Sequence, residues 1–248
     1  METTIKQIED MSLNAWPSHK MELYDGWIIR FSYFYTHRTN SVEQFGQSTL
    51  PLREKIPYCE EVYRRLGSPA IFKISPLVSP NFDFLLENRG YHIEHATNVM
   101  TASLEEPFLC APDSDAVTFS DSISASWIEG LFSLKNTTDV RHRSVVPSMY
   151  RAIMKETISA CVLSGGEIVA TGLGILDRDY IGIYAIHVRE DFRRMGLARQ
   201  IVTGLLKKGR EKGAAKAYLQ VVQGNMAAQK LYESLGFRVI YDYFFRVK

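Results

Sequence analysis

Val188-Arg-Glu-Asp-Phe-Arg-Arg-Met-Gly-Leu-Ala-Arg199 is the stretch on which the reading of this 248-residue chain turns. An apolar, β-branched segment, Tyr180 to Val188, runs into it and predicts a strand. A segment of helical periodicity, Gly196 to Lys212, runs out of it. A strand, a short basic turn and a helix start make an anion seat. The first amides of a helix have no internal acceptors, and the helix dipole adds positive character to that end. Gly196 and Ala198 are small enough for an oxyanion to approach the backbone, and Arg193, Arg194 and Arg199 surround the seat with charge. A phosphate-bearing ligand fits this chemistry.

Arg193-x-x-Gly196-x-Ala198 resembles the acetyl-CoA pyrophosphate loop of the GNAT superfamily of N-acetyltransferases, Gln/Arg-x-x-Gly-x-Gly/Ala. Downstream, Asn225-Met-Ala-Ala228-Gln-Lys-Leu231-Tyr232-Glu-Ser-Leu-Gly236-Phe237 resembles that family's Asn-x-x-Ala-x-x-Leu-Tyr-x-x-x-Gly-Phe. Small-residue loops before helices are common, so each motif alone is weak. The two in order, one helix and one strand apart, are specific, and the resemblance covers roughly residues 115 to 248.

The chain also repeats itself at an offset of 146 residues. Gly26 pairs with Gly172, Ile29 with Ile175, Val42 with Val188, Gly67 with Gly213, Leu85 with Leu231 and Gly90 with Gly236. Strands at 26–33 and 34–42, a helix at 52–66, a strand at 70–75, a helix at 81–89 and a strand at 91–104 would match strands 167–178 and 180–188, helix 196–212, strand 215–222, helix 225–235 and strand 237–247. Read this way, the register needs no gap. Helix-end glycines alone are common to any two α/β units; agreement over six elements is not. The offset sets Gln47, Leu50 and Leu52 at the Arg193, Gly196 and Ala198 positions, and Ser79 and Leu86 at Asn225 and Tyr232. A leucine where phosphate must touch backbone marks the first copy as degenerate.

The expected fold is therefore α+β, an α/β three-layer arrangement of two tandem GNAT-like domains, each a mixed, largely antiparallel sheet flanked by helices. The expected boundaries are 1–106 for the degenerate domain, 107–115 for a proline-containing linker and 116–248 for the catalytic domain. Helices from about 4 to 13, 123 to 134 (capped by Asp121 or Ser122) and 145 to 155, and strands at 116–120 and 158–164, complete the expectation.

What the resemblance implies chemically is transfer of an acetyl group from acetyl-CoA to a primary amine of a small molecule or peptide, by direct attack in a ternary complex, leaving coenzyme A. The cofactor residues implied are Ile186, His187 and Val188 on the strand, Arg193, Arg194, Met195, Gly196, Leu197, Ala198 and Arg199 on the loop, and Asn225, Ala228 and Tyr232. Tyr232 is the candidate acid for the departing sulfur, since a phenol of pKa ~10 stays protonated at neutral pH. It is also the kind of aromatic that fills a core. Asn225 could cap the following helix as well as contact cofactor.

The strand carries no carboxylate to serve as base. His187 and Tyr184 stand there instead, on opposite faces by strict alternation. His187 could be the base or a packed residue, with a water relay as the alternative. Tyr184, Arg38 and Asn40, with Ser41, are candidates for the acceptor side; for the last three a surface loop is the plainer reading. A non-catalytic acyl-CoA sensor and a transferase using another acyl donor are the rival functions.

Bulk properties narrow the classes. Net charge +1 provides no global field for nucleic acid or a membrane surface, and no apolar run approaches the ~20 residues of a membrane helix. Cys59, Cys110 and Cys161 lack metal-ligand spacing and read as reduced thiols, no metal is implied, and the acidic start (Glu2, Glu9, Asp10) is unlike a signal peptide. The expectation is a cytoplasmic protein; the sequence leaves its oligomeric state open.

Overall fold

A computed structural model describes residues 2–105 and 116–248; the whole of the expected linker, 107–115, with Cys110, lies outside the described residues. The chain runs α1 (Glu2–Ala15), β1 (Lys20–Tyr24), β2 (Trp27–Phe31), β3 (Val42–Gln44), α2 (Leu52–Arg65), β4 (Ile71–Ile74), α3 (Pro80–Asn88), β5 (His92–Ser103), β6 (Val117–Ser120), α4 (Ala125–Leu134), α5 (Val140–Arg151), β7 (Glu156–Ser164), β8 (Glu167–Asp177), β9 (Tyr180–Val188), α6 (Leu197–Glu211), β10 (Lys216–Val222), α7 (Met226–Glu233) and β11 (Arg238–Val247).

All eleven strands join one sheet, in the order β1-β2-β3-β4-β11-β5-β10-β9-β8-β7-β6. Only β3–β4 and β9–β10 run parallel among the described residues. Alternation splits the apolar side chains between two faces. On one face Ile201, Val202, Leu205 and Leu206 of α6 pack on β7 to β10, and Ile56, Cys59 and Tyr63 of α2 pack on β2 to β4. On the other, Ile5, Ile8 and Met11 of α1 cover the middle strands, and α4 and α5 bury Trp127, Leu131, Phe132 and Met149 against Leu173 and Ile175. This is the expected three-layer arrangement.

The order of strands carries a feature that periodicity could not supply. β5 pairs with β10, and β11 pairs with β4. The last strand of each repeat has crossed into the sheet of the other, and the two exchanged strands pair antiparallel with each other at the centre. The segments before and after the linker therefore share one sheet.

The repeat also needs correcting. Val42 pairs with Phe72, whose counterpart at the 146-residue offset, Tyr218, pairs with Gly182. Val42 thus stands where Gly182 does, not Val188. Ile29 and Val42, which are cross-strand partners, lie 13 residues apart, against 7 for their counterparts Ile175 and Gly182. The connection is six residues longer in the first copy, and the next one is six shorter, so the offset recovers by α2. Residues 34–41 accordingly form no strand but a loop with one 3-10 turn, His37–Thr39, and of the expected strand 34–42 only Val42 is in β-structure, as the start of β3. β1, unforeseen, makes a hairpin with β2 through Asp25 and Gly26. Ser124, rather than Asp121 or Ser122, caps α4 by accepting from the Trp127 amide at 3.1 Å. Asp139 caps α5 five residues ahead of the expected start, because the first turn (Arg141, His142, Arg143) has no apolar periodicity to announce it.

Gly172 sets how closely α6 approaches the sheet. A Cβ there would lie 2.3 Å from Ile201 Cγ2 and 2.9 Å from Ile186 Cδ1. Gly172→Ala is expected to overpack this contact and cost about 1–3 kcal/mol, read as a lower urea midpoint at unchanged slope.

Candidate active site

β9 and β10 hold together only from Tyr180 to Ile183 and from Lys216 to Leu219. Beyond these pairs the two strands part. Tyr184 to Val188 and Gln220 to Val222 then face each other across a cleft of about 630 Å³. The far edge of β9 stays paired to β8, with His187 opposite Thr171 and Val188 opposite Ala170, so the edge toward the cleft is uncovered.

A bulge interrupts β9 at this point. Leu173 pairs with Tyr184 but Thr171 pairs with His187, three residues on β9 against two on β8. Ala185 takes up the slack at φ +50°, and its carbonyl accepts from Thr171 Oγ1 at 3.0 Å. A positive φ at a non-glycine is strained backbone, which such a fixed bulge retains. The extra residue reverses the alternation. Tyr184 and His187, expected on opposite faces, share one and line the same cavity, while Ile186 turns to the α6 side.

The loop after β9 leads straight into α6. Gly196 is left-handed (φ +80°) and immediately precedes α6, and Arg194 is left-handed too (φ +67°). A side chain at Gly196 would project into open space, its nearest neighbour being Gln200 Nε2 at 3.8 Å. Among the described residues the amides from Met195 to Ala198 have no acceptor. Arg193, Arg194, Gly196, Leu197, Ala198 and Arg199 all border the cleft. Met195 does not; its side chain is 61% exposed. Arg193 is steadied by the Val188 carbonyl (3.4 Å) and Arg199 by the Ser234 hydroxyl.

The second motif closes the opposite wall with Asn225, Ala228 and Tyr232. Asn225 Oδ1 caps α7 by accepting from the Ala228 amide at 3.2 Å. Tyr232 is 8% exposed, and its hydroxyl has no hydrogen-bond partner among the described residues. Burial pushes its phenol up to about 12.

The corresponding turn of the first repeat is sealed. Asp25 in the β1–β2 turn places its carboxylate on the Thr49 and Leu50 amides, at 2.9 Å each, and on the Thr49 hydroxyl at 2.8 Å. These backbone donors hold the Asp25 carboxyl well below the usual carboxylate range. Lys55, buried against Trp27, completes the pair at 3.2 Å. An internal anion occupies the amides that Met195 and Gly196 leave unspent, and Leu86, at the Tyr232 position, lies in the core.

A second, smaller cavity of about 140 Å³ opens from the same stretch of β9. Arg38, Tyr184, Ala185, His187 and Gln220 line both spaces and form their common wall. Arg38 Nε donates to Tyr243 Oη at 2.7 Å, and Tyr243 Oη lies 3.0 Å from Gln220 Oε1. Tyr184 and Tyr218 join hydroxyls at 2.5 Å. Burial, with Lys135 nearby, pulls the His187 imidazole down to about 4, and burial lowers Lys135 to about 8.

Of the acceptor-side candidates, Arg38 reaches the site and Asn40 does not. Asn40 is fully buried within its own loop, accepting from the Ser32 and Phe34 amides (2.7 and 3.0 Å) and donating to the Thr36 carbonyl. Its role is to staple that loop, and Ser41 is likewise buried. Sequence reasoning missed Lys135 and Gln220. A lysine just past a helix end and a glutamine inside an apolar strand carry no motif; only the packing places them here.

The sequence profile of the family described as "Probable histone acetyltransferase Rv0428c C-terminal" matches residues 2–245. The chain is 26% identical over 251 residues to "Uncharacterized N-acetyltransferase YobR" of Bacillus subtilis (strain 168), an alignment covering 98% of each chain. Its fold is similar to that of a GCN5-related N-acetyltransferase from Kribbella flavida (TM-score 0.68, 12% identity, 98% of this chain and 95% of that one). A tandem GNAT protein from the clavulanic acid biosynthesis pathway is also similar (TM-score 0.66, 11% identity, 84% and 74%). No helix among the described residues is long and apolar enough to cross a membrane. With motif, fold and full-length family match in agreement, the chain belongs to the Rv0428c C-terminal family and is an acyltransferase of the GNAT type, built from two tandem GNAT-like repeats.

Proposed function

We propose that the enzyme transfers an acetyl group from acetyl-CoA to a primary amine of a small molecule or peptide, by direct attack while both are bound. In this reading residues 116–248 are the catalytic domain and residues 1–106 the domain that completes the acceptor side. The observation that carries it is the unspent set of amides from Met195 to Ala198, at a helix start, beside an uncovered strand edge. Donors without acceptors at that position suit a diphosphate, and the open space at Gly196 admits one.

Bound acetyl-CoA supplies an activated acyl carbon and a sulfur leaving group; the rest falls to the chain. The loop amides, with Arg193, Arg194 and Arg199, hold the diphosphate. The uncovered backbone of Ile186 to Val188 aligns the pantetheine arm as an added strand, with Asn225 and Ala228 on the far wall. Such positioning can lower a barrier by about 7–11 kcal/mol. A β9 amide beside the bulge donates to the carbonyl oxygen as it gains charge, typically worth about 3 kcal/mol. As the N–C bond forms and the C–S bond breaks, one proton leaves the amine and one reaches sulfur. Tyr232 gives the latter in this reading: burial keeps its phenol protonated, and no acceptor among the described residues competes for it. His187 stays neutral at physiological pH and is too weak a base to keep the proton, so it orients the amine by accepting a hydrogen bond and passes the proton on to water.

Saturating acetyl-CoA is expected to stabilise the wild type by about 2.7 kcal/mol at 100 times Kd and to leave the melting temperature of Gly196→Glu unmoved, since the carboxylate fills the seat. Equal shifts in both proteins would remove the loop from cofactor binding. Tyr232→Phe should keep the acetyl-CoA shift while kcat falls by about 10²-fold or more; unchanged thiol release would exclude the phenol as acid. The folded pKa of His187 lies below the ordinary value of 6.5. Its neutral form therefore contributes stability above pH 6.5, lost as pH falls through about 4. Urea titrations should show the wild type losing stability relative to His187→Gln across that window, and matching profiles would mean the imidazole is not desolvated.

A further inference from the structure

The smaller cavity holds more positive charge than the protein answers. Four cationic side chains line it, Arg30, Arg38, Lys73 and Lys135. Arg30 is paired with Glu43 at 3.2 Å and also donates to the Arg38 and Trp16 carbonyls. Lys73 is paired with Glu9 at 2.5 Å and Glu43 at 3.4 Å. Arg38 and Lys135 have no carboxylate within 4 Å among the described residues. Arg38 spends only its Nε, on Tyr243, and Lys135 meets only the hydroxyl and ring of Tyr35. His187 beside them is neutral. A third donor is unspent, for Gln220 Nε2 is buried without a partner.

We propose that the acceptor is an amino-acid-type molecule, an amine and a carboxylate on one short skeleton, whose carboxylate is held by Arg38, Lys135 and Gln220 beside Tyr184. The proposal rests on the transferase reading above and names the substrate class of that site. Arg38 and Gln220 on the wall shared by the two cavities, and Lys135 in the smaller one, keep donor hydrogens to spare and call for a group that only accepts. A carboxylate does so, and a guanidinium fork grips it in two places. The walls around these donors are apolar: Trp16, Tyr35, Tyr150, Leu131 and Leu173. They suit an apolar side chain, and a cavity of about 140 Å³ takes a small molecule, not the surface of a folded protein.

The first repeat supplies the main anchor, which gives the longer 32–41 connection a purpose. The six extra residues carry Arg38 over to the second repeat's strand. Their shape is locked by Asn40, by Arg30 on the Arg38 carbonyl at 2.6 Å, by His37 with Glu94 at 3.0 Å, and by His142 with the Tyr33 carbonyl at 2.6 Å. An arginine fixed this firmly is arranged before its ligand arrives.

The test compares amino acids, their methyl esters and their decarboxylated amines as acceptors, scored by thiol release from acetyl-CoA with the intact chain. Amino acids with apolar side chains are expected to exceed their esters and amines in kcat/KM by about 10²-fold or more. Lys135→Gln and Arg38→Gln should each raise the acceptor KM by about 10-fold or more while leaving the acetyl-CoA KM unchanged. Melting temperatures of the CoA-saturated protein give a readout independent of turnover, rising with carboxylate-bearing members only. Amines that serve as well as amino acids, variants that leave the acceptor KM unaltered, or no melting shift from any carboxylate would overturn the proposal while leaving the transferase reading standing. A protein that acetyl-CoA fails to stabilise loses both.

Discussion

The antiparallel pairing of β5 with β11 at the centre of the sheet is the constraint on which the rest of the molecule hangs. Because each of these strands belongs by sequence to one repeat and by hydrogen bonding to the other, neither repeat can close its sheet alone. The exchange brings Tyr243 of β11 and Gln220 of β10 within reach of Arg38 from the first repeat's loop. A loop of the first repeat and the two motif-bearing segments of the second thereby meet beside one strand, β9.

That strand is where geometry becomes chemistry. Parallel β9 and β10 separate after four pairs, so a backbone edge is left open without exposing a whole flank of the sheet. The bulge at Ala185 then turns Tyr184 and His187 to one side. Without it, alternation would send one of them under α6. The strain of a positive φ is held in place by the Thr171 hydroxyl and by close packing on both faces.

The two repeats treat the same turn differently. Both present backbone amides ahead of a helix. In one, Gly196 leaves them open; in the other, Asp25 satisfies them from within, with buried Lys55 balancing its charge. The first repeat spends this turn on a structural ion pair, and its longer loop reaches the neighbouring cleft through Arg38. The substitution of Leu50 for glycine was visible in the sequence. The replacement anion was not, since Asp25 lies 25 residues from the amide it occupies.

Sequence alone determined the chemistry that is local. The loop from Arg193 to Ala198, the Asn225–Tyr232 helix and the strands that flank them are set by short-range pattern, because a helix start and a small-residue turn are specified by neighbours along the chain. It also revealed the repeat and the leucine, Leu50, that stands at the Gly196 position in the first copy. What only the tertiary structure decided is long-range: the strand exchange, the compensating six-residue shifts, the bulge that reverses β9, and the presence of Lys135 and Gln220 beside Arg38. Each depends on which backbone groups find partners across the sheet, and hydrogen-bond register between distant strands leaves no periodic mark on either one. The same reason misplaced Asn40, whose polar side chain is consumed by amides that only its own folded loop brings near.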